Sequence, residues 1–111
     1  MSIVLADFQK VALRTGTILE AAPHPNADRL LVLQVDLGGT PPERRQVVAG
    51  IKAQYAPDTL VGRTVVVVAN LEPATIRGVE SQGMVLAASN EQEGLTLVVL
   101  DKPMAPGSIV K

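Results

Sequence analysis

The chain has 111 residues, of which 47% are hydrophobic, and a formal net charge of −1. That length suits a single domain, expected to span residues 1–111, with no room for a second core and no apolar run of about 20 residues to cross a bilayer. Cysteine is absent, which excludes a disulfide scaffold, a thiolate metal site and a cysteine nucleophile, and the near-neutral charge excludes a uniformly basic nucleic-acid binder.

The first ten residues include Asp7 and lack a basic start followed by an apolar stretch. No signal peptide is expected, and a cytoplasmic protein is the simplest inference. Lys10 to Ala22, rich in Val, Leu, Thr and Ile, predicts a long first strand. Its apolar parity shifts after Gly16, which suggests a bulge or sharp coil there. Pro23 and His24-Pro25-Asn26-Ala27-Asp28 mark a loop. Leu31, Leu33, Val35 and Leu37 alternate with polar or smaller partners and predict a second strand. Gly38-Gly39-Thr40-Pro41-Pro42 closes it, and Arg45 to Ile51 predicts a third.

Tyr55 to Gly62 predicts one short helical turn, opened by Pro57 and Asp58 and stopped by Gly62. Thr64 to Ala69, continuously apolar and β-branched, predicts a strand buried on both sides. Asn70-Leu71-Glu72-Pro73 breaks it, and residues 74–83 read as irregular and polar. Met84 to Ala88 predicts a strand, Ser89 to Gly94 a turn, and Leu95 to Leu100 a returning strand. A Pro/Gly-rich tail ends in Ile109-Val110. Short strands at near-regular spacing, with a helical turn between the third and fourth, predict an all-β five-stranded OB-fold barrel with extra terminal strand elements.

No constellation points to catalysis. His24 stands alone without cysteine partners, which argues against zinc; its ordinary reading is a turn residue that hydrogen-bonds its own loop. Ser81 lacks a nucleophile elbow and a converging base, and the carboxylates are scattered singly. No cofactor is expected. Arg44-Arg45 reads either as a solvated strand end or as a pair of phosphate contacts. Ser81-Gln82-Gly83-Met84 places a hydroxyl, an amide and a soft apolar side chain at one strand entrance. Such groups can meet phosphate oxygens or base edges; the alternative is a plain loop-to-strand junction with Met84 in the core. Phe8 and Tyr55 are the aromatics, too few for a base-stacking platform.

Four segments in this order carry a resemblance: Asp7-Phe8 through Leu13-Arg14-Thr15-Gly16, His24-Pro25-Asn26-Ala27-Asp28-Arg29-Leu30, Val65 to Leu71, and Arg77-Gly78-Val79-Glu80-Ser81-Gln82-Gly83-Met84. Over residues 7–110 the chain is similar to the tRNA-binding domain family. That family includes the C-terminal domain of bacterial methionyl-tRNA synthetase, free-standing structure-specific tRNA-binding proteins and a secretion-chaperone branch. The resemblance implies an OB-fold that grips tRNA by shape near its outer corner, without catalysis. It also implies a homodimer paired through terminal segments, here around Phe8 and Ile109-Val110. The implied tRNA-binding residues are Asn26, Arg29, Asn70, Arg77, Ser81, Gln82 and Met84. Thr15 stands where the family commonly has valine, a change expected to be conservative. The synthetase's catalytic domain, in cis or in trans, is an implied partner. The alternative is the chaperone branch, a dimer that holds unfolded or exported polypeptides.

Overall fold

The computed structural model describes residues 1–111, which form a small β-barrel with short additions at both ends. The first barrel strand, β1 (Leu13–Pro23), pairs antiparallel with β2 (Leu31–Asp36) through its second half. Its first half pairs with β4 (Thr64–Val68). β2 pairs with β3 (Arg44–Ala49), and β4 with β7 (Met84–Val85). The order β3-β2-β1-β4-β7 is the nearly closed sheet expected of an OB-fold. The helical turn before β4 is a single 3-10 turn at Pro57–Thr59, with Pro57 in the first position and Gly62 beyond its end at φ 89°.

One strand shared by two partners must coil strongly, and β1 does so in two ways. The register against β2 slips between Ile18 and Glu20, leaving Leu19 as the extra residue. The bulge therefore lies three positions after Gly16. Gly16 serves a different need: a Cβ there would lie 2.5 Å from Val35 Cγ1 and 3.1 Å from Val67 Cγ2. Only a hydrogen fits where the barrel wall curls most tightly.

The core follows from the alternation of β2. Leu31, Leu33, Val35 and Leu37 are fully buried, each contributing about 1.5–3 kcal/mol by leaving water. Ile18, Val47, Val65, Val67 and Leu60 fill the rest. β4 is buried on both faces, as its unbroken valine run requires. Within the sheet it is flanked by β1 and β7, and Val65 to Val68 are all buried while Thr64 is only partly so.

Three elements differ from expectation. Leu5–Phe8 forms a four-residue α1. Residues 74–83 are a regular hairpin: β5 (Ala74–Ile76) pairs with β6 (Val79–Ser81). Arg77 at φ 52° and Gly78 at φ 89° form its two-residue turn, the left-handed pair that matches strand twist. Third, the strand after Met84 is split. Leu86 still donates to Val66 O at 3.0 Å, and β8 (Ala87–Asn90) then leaves the barrel to pair with β9 (Gly94–Leu97).

The tail is fastened rather than loose. β10 (Ile109–Val110) pairs with Leu13 and Arg14. Buried Thr15 anchors it: the hydroxyl donates to Ala105 O at 2.8 Å and accepts from Ser108 N at 2.9 Å. A valine at this position could make neither bond, so Thr15 is not a neutral exchange in this chain.

Candidate nucleic-acid interface

The His24–Leu30 loop and the β5–β6 hairpin meet at one end of the barrel, and His24 joins them. Its ring is buried. Nδ1 accepts from the Asn26 amide at 2.9 Å, which leaves the proton on Nε2, and that proton is donated to Ile76 O at 2.9 Å. Thus His24 is a loop-bonding turn residue that also reaches a second element. Asn26 and Arg77 complete the clasp reciprocally. Asn26 Nδ2 donates to Arg77 O at 3.4 Å, and Arg77 Nη2 donates to Asn26 O at 3.2 Å. The left-handed backbone of Arg77, roughly 1–2 kcal/mol unfavourable for a residue with a Cβ, is held by these contacts.

Arg29 follows in the same loop, and its carbonyl accepts from the Lys52 amide at 3.4 Å. Arg29, Lys52 and Arg77 therefore gather at this end. No carboxylate lies within ion-pairing distance of any of the three. Lys52 belongs to no motif; it joins the set only because the end of β3 lies beside the loop. Met84, at the start of β7, is half exposed, so it is not a core residue.

Of the remaining residues of the expected set, Ser81 is buried, Gln82 is half-buried and Asn70 is exposed, and each spends its polar groups on the protein's own backbone. The β3-β2-β1-β4-β7 sheet would stay open between β3 and the segment entering β7, and Ser81 and Gln82 close that seam. Ser81 is buried; its hydroxyl accepts from Val48 N at 3.0 Å and donates to Gly83 O at 3.0 Å. Gln82 Oε1 accepts from Gln46 N at 2.9 Å, and Gln82 N donates to Gln46 O at 2.7 Å. Gln46 Nε2 donates to Glu80 O at 2.8 Å. Asn70 follows β4 at the end that pairs with Met84, near Arg45 and Gln82, and there Oδ1 accepts from Ala12 N and Nδ2 donates to Lys10 O. Both of its polar groups tie the N-terminal segment to the barrel.

Arg44 and Arg45 separate in role. Arg44 is exposed. Arg45 Nη1 donates to Ala69 O at 2.7 Å and to Gln82 O at 3.1 Å, and Nη2 pairs with Glu43 at 2.6 Å. Arg14 also pairs with Glu43, at 3.2 Å. Hydrogen bonds from Arg14 and then Arg45 hold the Glu43 carboxyl below its ordinary value of 4.5. A depressed carboxylate stabilises the fold above that ordinary value, and its contribution is lost as pH falls through the folded one.

The arrangement has no nucleophile, base pair of groups or cluster of His, Cys, Asp and Glu able to hold a metal. What it offers is a rigid, cationic, hydrogen-bonding edge beside an apolar strand end, suited to binding rather than to bond making.

Comparison with known proteins agrees with this reading. Residues 13–109 match the family described as "Putative tRNA binding domain". The chain is 51% identical over 105 residues to a methionine–tRNA ligase of Pyrococcus furiosus, covering 95% of this chain and 14% of that protein. It is 49% identical over 109 residues to the ligase of Thermotoga maritima, covering 98% and 17%. The chain thus spans about one seventh of the first of these relatives, and the matching part is a binding module rather than a catalytic one. Among solved structures, a MetRS-related protein from Pyrococcus horikoshii superposes over all of both chains, with a TM-score of 0.88 and 32% identity. The chaperone CsaA from Bacillus anthracis does so with 0.89 and 26%.

Proposed function

The chain belongs to the tRNA-binding domain family, and on that premise we propose that it binds structured tRNA as a single non-catalytic domain. The observation that carries the proposal is the trio of unpaired cations, Arg29, Lys52 and Arg77, held at one barrel end by the His24–Asn26–Arg77 clasp. Asn26, Arg29, Arg77 and Met84 make direct contacts in this reading, while Ser81, Gln82 and Asn70 hold the strands that present them. A folded tRNA offers phosphates and shape more than free bases, which such a surface suits without aromatic residues. The domain would act in the cytoplasm, free-standing or as the tRNA-gripping part of a methionyl-tRNA synthetase.

The same frame also supports a second reading. Its full-length likeness to a chaperone favours a polypeptide-holding dimer as the alternative. Fluorescence anisotropy of labelled tRNA across a salt series separates the two. Binding that weakens with salt and resists a single-stranded competitor is expected. Arg77→Ala should flatten the salt slope by about one unit, as loss of one phosphate contact does. No binding at low salt, together with capture of an unfolded polypeptide, would sink the tRNA reading.

A further inference from the structure

Seven of the nine glycines take positive φ, and Gly16 sits where a Cβ would clash. Gly50 meets neither demand. Its φ lies outside the left-handed region, and a Cβ there would touch only Leu30 Cδ2, at 3.7 Å. At the end of β3, Gly50 lines a cleft of about 160 Å³. Ile51, Met84, Ala87 and Leu95 share that lining, whose side chains are all apolar while the backbone adds polar surface. Met84 stands beside it with 47% of its surface exposed.

We propose that this cleft takes one unstacked nucleobase of the bound RNA, with the neighbouring phosphates on Arg29, Lys52 and Arg77. The inference rests on the tRNA reading above and deepens it. Charge complementarity selects the occupant. Lys52 is two residues beyond Gly50, and its amide is bonded to Arg29 O, so the apolar cleft and the unpaired cations share one strand end. A nucleotide joins an apolar planar base to an anion at that short range; an apolar peptide side chain brings no anion. The volume admits one base and no helix. With no side-chain donor or acceptor in the lining, the cleft takes the base by its face, through dispersion and the polarisable Met84 sulfur. No side chain of the cleft therefore reads the base's identity.

Gly50→Leu fills the cleft from β3, and Ala87→Leu fills it from β8; the second guards against a folding defect in the first. In a variant that melts as the wild type does, tRNA affinity should fall roughly two- to tenfold, the worth of one sulfur–aromatic contact. The salt slope should not change, because the phosphate contacts remain. Wild-type affinity in correctly folded variants would overturn the cleft while leaving tRNA binding intact. A loss accompanied by a flatter salt slope would also overturn it, by assigning the defect to phosphates. Failure of the unsubstituted protein to bind tRNA would remove the underlying reading and the cleft with it. If Gly50→Leu kept tRNA binding but lost affinity for an unfolded polypeptide, the cleft would belong to peptides instead.

Discussion

Ser81, Gln82 and Met84 stand within four residues of one motif, yet they do different work. Ser81 and Gln82 spend their polar groups on Val48, Gly83 and Gln46, and Met84 alone turns to solvent. A recurring motif can be kept for holding a seam as readily as for touching a ligand, and only the hydrogen-bond partners separate the two. Ser81→Ala leaves the buried Val48 amide without an acceptor. The expected cost is about 1–3 kcal/mol, the penalty of an orphaned buried donor, read as a lower urea midpoint. Any loss of tRNA affinity should follow that loosening. An unchanged midpoint with a large loss of affinity would instead make Ser81 a contact residue.

Among the elements, the strands that were legible are those with a continuous or alternating apolar signal. β2 and β4 show it plainly, because each buries the residues its pattern marks. β5 and β6 have three residues each, and half of them are exposed. They carry no periodicity, and their hairpin is defined by the Arg77–Gly78 turn and by the His24 bond to Ile76 O. Arginine is not a turn residue by preference, so the local sequence hid it. The tail is a similar case: its polar and proline-rich run gave no hint that Thr15, far away in sequence, would fasten it. Thr15→Val should expose residues 105–110 to faster amide exchange while the β2 and β4 amides stay protected, since the tail opens without the barrel. Equal protection of the tail in both proteins would show the backbone bonds to be sufficient.

At the scale of the molecule, the fastened tail sets beside α1 a groove of about 560 Å³ between Phe8, Val11, Ile109 and Val110. Phe8, Val11 and Ile109 are exposed to 39%, 41% and 79%. An apolar patch of this kind marks an association surface, and we propose that two copies pair there, carrying two cationic ends to one assembly and raising effective concentration. Sedimentation should give a dimer of the 11.7 kDa chain, and Ile109→Asp should give a monomer with an unchanged barrel, because a buried unpaired carboxylate opposes association. A wild-type monomer at high concentration would end the dimer proposal.

The residues alone determined the barrel. The alternation of Leu31 to Leu37, the valine run of β4 and the turn at Pro57 each specify an element through burial period and backbone preference, which are local properties. The motif-bearing segments likewise carried the family. Tertiary structure decided which of those motif residues keep free side chains and which are spent inside the protein. Ser81 turned inward to the Val48 amide, and Asn70, though exposed, is engaged by Ala12 and Lys10, all distant in sequence. Lys52 and Gly50 came to lie beside the Arg29 loop because the end of β3 packs against it. Such choices depend on which unsatisfied backbone groups and which charges come together on folding, and no spacing along the chain encodes that.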